Sequence, residues 1–492
     1  MRLNKKCMIL ELIETIDEGF DYVESNGGDK VRDMIDDCNH ALIHILNCSE
    51  GESTIRELIE EITNKISCTY DLLYDNNMLK NSIGLMKKMT NELKNIIMNE
   101  IDTQIEVAFM PYKASMWDSL ESIWMEAKDD PNCDCYVVPI PYYEKDAQKN
   151  CTNVCYEGNK FPKNIEITSY ETYDFENRQP EVIYIHNPYD FCNKITTVDN
   201  SFFSINLSKY TNMLVYVPYY VDGSYKNVEE HTNFGVLPGT LSATKIIAQS
   251  NIHKELFVKN GHDQNKVLNL GSPKFDATLL ACKKNAEIPF EWENVIRDKK
   301  VFLFSSTIDD ILTDSNWITS VNKIIDHITE NDSCVAIWRP HPLTEITIKT
   351  MRPDFEEEYR KLQDKISSCN NVIIDTNSDA NISIKISHTL ICGYSSIMFQ
   401  YMATEKPILS FLSKEKLDKS RFYCTDYLGA YFTNEGVNIS DFIEIVLKNK
   451  DTKKEERMRR LRSSVTNLDG TCGQKIHQRI KNDIIDLLLC RA

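Results

Sequence analysis

QIEVAFMPYKASMWDSLESIWMEAKDDPNCDCYVVPIP, residues 104 to 141, decides the fold. A short apolar run, QIEVAFM (104–110), precedes a stretch of helical period, SMWDSLESIWMEAK (115–128), and a second apolar run, CDCYVVPIP (133–141). Strand, helix and strand at these lengths close as a right-handed parallel crossover, which opens a doubly wound sheet. EVIYIH (181–186), MLVYVP (213–218), TKIIAQS (244–250) and KVLNLG (266–271) continue the sheet, so a first α/β lobe is expected over 102–275. GSPKFDATLLACKKN (271–285) reads as a crossing segment, and the same grammar then restarts. KVFLFSST (300–307), CVAIW (334–338), NVIID (371–375), HTLICG (388–393) and PILSF (407–411) read as strands, with helices over 315–330, 354–368 and 395–404. The second lobe is expected over 276–437. Two Rossmann-like parallel-sheet lobes place a ligand in the cleft at the carboxyl ends of their strands.

Upstream, residues 1–101 keep a helical period throughout. Ile9, Leu12, Ile13, Ile16 and Phe20 share one face, as do Ile35, Cys38, Leu42 and Ile45 in the next segment. A helical module of about four segments follows, suited to a packed bundle or to self-association. Residues 438–492 read as C-terminal helices. Within them KKEERMRRLR (453–462) suits a solvated face, or contact with anionic lipid if it lies near a bilayer.

The chain of 492 residues carries a net charge of -18, which argues against general affinity for nucleic acid. The opening MRLNKKCMILELIETIDEGF places Glu11, Glu14 and Asp17 where an export segment would be apolar. No run reaches the roughly 18 apolar residues of a membrane span, so a cytoplasmic protein with reduced thiols is expected. Of 16 cysteines, Cys133, Cys135, Cys151 and Cys155 have zinc-like spacing, but chance accounts for it in so cysteine-rich a chain, and no metal is expected.

Four places can carry chemistry. WRPHPL sets Arg339 and His341 at a strand end: a fixed planar cation suited to phosphate and an imidazole that titrates near neutrality. In CGYSSIMFQYMATEKPILSF (392–411), Ser395 and Ser396 start a helix whose first amides can bind an anion, although plain capping explains serines equally well. FSST offers Ser306 and Thr307 at a third strand end. In the first lobe His186 ends a strand as a candidate general base, and Tyr219, Tyr220 and Asp222 cluster beside Gly223 as a candidate acceptor pocket. There is no Walker lysine loop, G-x-G-x-x-G, H-E-x-x-H or G-x-S-x-G.

GSPKFD, SST, RPHPL and LICGYSSIMFQYMATEKPIL, in this order and with Asp469–Gly470 before the final helix, resemble the CDP-glycerol glycerophosphotransferase family of teichoic-acid polymerase-like enzymes. The likeness covers about residues 210–480. It implies a GT-B fold without catalytic metal or cofactor, and transfer of an alditol phosphate, glycerol phosphate foremost, from a CDP-linked donor to a lipid-linked or glycan hydroxyl, with release of CMP. Its histidine motif falls on His341 and its paired hydroxyls on Ser395 and Ser396, all on the donor phosphates; its arginine at the crossover is Lys274 here. Two positions depart from the pattern. The family's aspartate before Tyr394 is Gly393, and its first-lobe His-Gly motif has no histidine near VPYYVDG, which leaves His186 as the candidate base.

The expectation is therefore a transferase of surface-polymer (teichoic-acid-like or capsular) assembly, cytoplasmic or peripheral at the inner membrane face, and self-associating if the helical module pairs. A nucleotide-sugar glycosyltransferase of the same fold and a catalytically silent scaffold remain the alternatives.

Overall fold

The computed structural model describes residues 1–26, 28–49, 53–146, 148–222, 235–283, 288–377, 379–393, 395–411, 429–433 and 436–489. It divides into two compact units: Met1–Glu106 with Asp130–Asp134 and Arg479–Ala492, and Val107–Asp129 with Cys135–Gln478.

In the first unit, α1 (Leu3–Asn26), α2 (Arg32–Cys48), α3 (Ser53–Thr69) and α4 (Asn76–Asn99) share one core. Ile9, Ile13, Ile16 and Phe20 of α1 meet Ile35, Leu42 and Ile45 of α2, Ile59, Ile62 and Ile66 of α3, and Ile83, Met86, Leu93 and Ile97 of α4, the three-and-four spacing of helix faces. Asp75 caps α4 by accepting from the amides of Asn77 and Met78. Below its last turn the buried Lys6 ammonium donates to the carbonyls of Met98 and Ile101 and to Thr103 Oγ1, at 3.1, 2.9 and 3.0 Å, answering carbonyls that have no partner within a helix.

The second unit is built on two six-stranded parallel sheets. The first lobe takes β1 (Ile105–Phe109), β2 (Cys133–Val137), β5 (Val182–Ile185), β7 (Met213–Tyr216), β8 (Lys245–Ala248) and β9 (Val267–Asn269) in the order β2-β1-β5-β7-β8-β9. Between them β3 (Tyr142–Lys145), β4 (Cys151–Cys155) and β6 (Thr196–Val198) form an antiparallel sheet, order β4-β3-β6. The second lobe takes β10 (Lys300–Ser305), β11 (Cys334–Arg339), β12 (Val372–Ile374), β13 (Thr389–Cys392), β14 (Ile408–Ser410) and β15 (Tyr431–Phe432) in the order β12-β11-β10-β13-β14-β15. Two Rossmann-like lobes of the GT-B type, with a helical module, are thus the architecture. β11 is buried at all six positions, as a strand covered on both faces must be, and its apolar run is continuous for that reason.

Both orders reverse once. In the first lobe the chain leaves β1 for β2 and returns on the other side at β5; in the second it runs β10, β11, β12 and returns at β13. Each reversal opens a crevice beyond the strand ends, β1/β5 and β10/β13, where ligands of such sheets bind.

Local departures from the expectations have simple causes. The helix expected over 115–128 begins as a 3-10 turn, Ala114–Ser119, and continues as α-helix only over Glu121–Asp129; the Ser119 hydroxyl donates back to the Met116 carbonyl at 2.7 Å. β2 stops at Val137, although the Val138 and Ile140 amides still donate to the carbonyls of Phe109 and Pro111, at 2.8 and 2.9 Å. The small antiparallel sheet went unanticipated, since its strands of 4, 5 and 3 residues are too short to show an alternation. Cys151 and Cys155 are simply the two ends of β4, and among the described residues the four zinc-spaced cysteines form no converging ligand set. Within KKEERMRRLR, Arg457 is fully buried, donating to the carbonyls of Gly429 and Glu405 and paired with Asp451, so this stretch is in part a core element rather than an open basic face. No helix among the described residues is long and apolar enough to cross a membrane.

Candidate active site

The second-lobe crevice is fixed by register. Ser305 is level with Arg339 on β11 and with Cys392 on β13, so the residues just beyond form a row: His341, Ser306 and Ser395. Pro340 ends β11, and His341 is then held by a tight turn in which the Leu343 amide donates to Nδ1 at 3.1 Å and the Thr344 amide to the His341 carbonyl at 2.8 Å. An accepting Nδ1 puts the proton on Nε2, which bonds to none of the described residues. Burial, then the positive charges of Lys113 and Arg339, bring the imidazole down to about 4. His341 is therefore a neutral N–H donor at physiological pH. Ser306 and Ser395 each bury a hydroxyl with no partner among the described residues, and buried hydroxyls are nearly always bonded. Ser395 occupies the N-cap of the helix Ser396–Met402 without capping it through its side chain, which removes the plain capping explanation for that residue.

Two neighbours are already engaged. Arg339 donates to Asp375 Oδ2 at 2.6 Å, and Asp375 also accepts from Ser383 Oγ at 2.6 Å and the Asn377 amide at 3.0 Å. Thr307 opens the next helix in a capping box, its hydroxyl accepting from the Asp310 amide and Asp310 Oδ2 accepting from the Thr307 amide, at 3.1 and 2.9 Å. That Asp310 carboxylate overhangs position 393, where an added Cβ would stand 3.1 and 3.2 Å from its two oxygens. Tyr394 and Gly223 lie outside the described residues.

The first-lobe crevice revises the reading of His186. Its ring is fully buried; the Tyr112 amide donates to Nε2 at 3.3 Å and Nδ1 lies 3.1 Å from Ser119 Oγ. With the Nε2 lone pair taken by an amide, Nδ1–H faces Ser119, and neither nitrogen can accept a proton from a substrate. Tyr112 and Tyr219 close it edge-on, with ring centroids at 5.7 and 6.2 Å. His186 holds the loops after β1 and β7 instead of acting as base. Tyr219 also meets Tyr220 at 5.6 Å, and the Asp222 backbone is held both ways by the Gln249 side chain, at 3.0 and 2.8 Å.

Burial first and the charge of Lys274 second push His186 down to about 3 from 6.5. Between those values the unfolded chain binds a proton that the folded one refuses, so stability falls as pH drops through the window, by on the order of a few kcal/mol in all. Denaturant unfolding of His186→Gln is expected to show lower stability at neutral pH and a flatter acid slope. An unchanged slope would contradict the sealed neutral ring.

Lys274 is likewise engaged elsewhere: its ammonium lies 2.6 Å from both carboxylate oxygens of Asp118, so it is not open to donor phosphate as the resemblance implied. Gln400 reaches the same carboxylate at 3.4 Å and bonds Thr278 and Asn381 at 2.7 and 3.1 Å. Asp118 and Ser119 belong to the 3-10 turn after β1, so Lys274 and His186 pin that turn from two sides. At its head stands Lys113, a residue no motif marked; only its place after the first strand of a doubly wound unit could have drawn attention to it.

The family described as CDP-Glycerol:Poly(glycerophosphate) glycerophosphotransferase matches residues 225–482. That is more than half of the chain, and the chain belongs to this family of glycerophosphate-transferring enzymes. His341, Ser306 and Ser395 lie inside the match; Lys113, Asp118, His186 and Tyr219 precede it. Among solved structures, the wall teichoic acid polymerase TagF is 17% identical over 87% of this chain and 98% of its own, with a TM-score of 0.49. A putative UDP-N-acetylglucosamine 2-epimerase from Listeria monocytogenes is 13% identical over 77% and 96%, at 0.48, and S. aureus MnaA, solved with UDP, 12% over 77% and 97%, at 0.45. No curated protein matches the chain.

Proposed function

We propose that the protein transfers glycerol phosphate from CDP-glycerol to a hydroxyl of a growing surface polymer, teichoic-acid-like or capsular, and releases CMP. The acceptor oxygen bonds to the phosphorus next to the glycerol, and the bond from that phosphorus to the bridging oxygen breaks. CMP leaves with that oxygen, and the hydroxyl proton passes to the leaving phosphate or to water. The observation that carries this reading is the row of unpaired donors at the second-lobe reversal, His341 Nε2–H and the hydroxyls of Ser306 and Ser395, inside the segment matched by the family. A diphosphate needs such preorganised donors where its charge builds up.

Within this reading the second lobe holds the donor and the first the acceptor, with Tyr219, Tyr220 and Asp222 on the acceptor side. Ser396 opens the helix behind Ser395. Arg339 acts through Asp375, ordering the strand end that presents His341. Asp310 supplies near Gly393 the carboxylate that the family carries at position 393 itself.

The test is incubation with CDP-glycerol and a short poly(glycerol phosphate) primer, reading CMP release and primer extension. Melting-temperature shifts with CMP, CDP-glycerol, UDP and UDP-sugars run beside it. Stabilisation by UDP compounds alone would replace this reading with a nucleotide-sugar glycosyltransferase, and no response to any nucleotide would favour a silent scaffold.

A further inference from the structure

The first-lobe reversal contains a cation with nothing to hold. Lys113 is 6% exposed and lies four residues beyond the end of β1, in the crevice between β1 and β5. Its ammonium sits over the Tyr142 ring at 4.5 Å and near the Tyr112 ring at 5.8 Å, and it makes no hydrogen bond or ion pair with any described residue. Glu157, the acid whose charge acts on it most, is taken: Oε2 accepts from the Ala114 amide at 2.9 Å and Oε1 from the Tyr142 hydroxyl at 3.0 Å. Buried lysines are ordinarily paired, so an unpaired one in a ligand crevice calls for an anion that arrives with the substrate.

Its surroundings hold it in place. Ala114 is tied to Glu157, Ser119 to His186 and Asp118 to Lys274, so the backbone that presents Lys113 is fixed at three points. Its charge is among those that depress the His341 imidazole, and each of the two residues stands beyond the strand ends at its own sheet's reversal. Burial lowers the ammonium's own pKa while Glu157 opposes the shift, and the two aromatic faces favour the charged form.

We propose that Lys113 is a phosphate ligand of the first lobe, which grips the diphosphate of the CDP-linked donor from the side opposite His341 and neutralises the phosphoryl group as it transfers. This rests on the donor assignment made above. It gives the acceptor lobe a share in donor binding and makes the reacting phosphorus the point where both lobes meet.

Lys113→Met and Lys113→Arg are compared with the parent for CMP release from CDP-glycerol and for equilibrium binding of CDP-glycerol and of cytidine. The methionine variant is expected to lose about a hundredfold in kcat/KM and about tenfold in CDP-glycerol affinity, with cytidine binding unchanged and the arginine variant intermediate. If Lys113→Met does not fold, Lys113→Gln carries the same test. A folded variant within threefold of an active parent overturns the lysine assignment and leaves the donor assignment standing. If the parent itself releases no CMP, the donor assignment fails; the lysine is then tested by inorganic pyrophosphate, which should raise the melting temperature of the parent and not of Lys113→Met. Equal stabilisation of both by pyrophosphate overturns it.

Discussion

His341→Ala is expected to slow CMP release from CDP-glycerol by about a hundredfold or more while leaving the fold intact. Within the protein the substitution removes one hydrogen bond, that from the Leu343 amide in a half-buried turn, worth about 1 kcal/mol, so the melting temperature should stay near the parent's. The large effect belongs to the transition state. Nδ1 is occupied by an amide proton, so in the proposed donor site the ring would meet the substrate through Nε2–H, where it could stabilise charge on the diphosphate but not remove a proton from the acceptor. That geometry separates two roles experimentally. A donor carrying a less basic leaving group than CMP should suffer less from His341→Ala, because it needs less help to depart. If both donors lose equally, leaving-group stabilisation is the wrong role; if turnover is near normal, His341 is outside the site.

The sheets were legible because parallel strands buried on both faces are apolar without interruption at their centres, as Val301–Phe304, Cys334–Trp338 and Leu390–Cys392 are. Strand ends followed from Pro340 and Gly393, and with them His341 and Ser395. What the sequence could not show was pairing across distance. Asp375 is 36 positions from Arg339 and Asp118 is 156 from Lys274, and no local pattern reveals that each cation already has a carboxylate. His186 illustrates the same limit: a histidine at a strand end reads as a base until the Tyr112 amide and Ser119 are seen to fill its two nitrogens. Lys113 is the converse, an unremarked loop lysine whose isolation depends on Tyr142, contributed by an antiparallel sheet with no sequence signature.

Lys274→Met is expected to destabilise the protein by roughly 3–5 kcal/mol, because it strands the Asp118 carboxylate where its counter-charge is removed. Lys274 and Asp118 side chains are only 9% and 14% exposed, so water can do little to replace the pair. Asp379 makes the loss worse: burial already pushes its carboxyl up and the Asp118 charge adds to the push, against Asn381 and Arg339, so without Lys274 the repulsion between the two acids is less well offset. The double variant Lys274→Met/Asp118→Leu should recover most of the stability, since a buried pair replaced as a whole by apolar groups is commonly neutral or better. Activity should follow the turn rather than the charge. Each single variant, Lys274→Met or Asp118→Leu, should loosen the segment that begins at Lys113 and ends in Ser119, and the double variant should regain kcat as the turn is repacked. Denaturant unfolding and CMP release measured on the same four proteins separate the two readings of this lysine. A Lys274→Met protein that unfolds with the parent yet needs far more CDP-glycerol for half-maximal rate would return Lys274 to the donor phosphates, and Asp118 would then be the residue in want of an explanation.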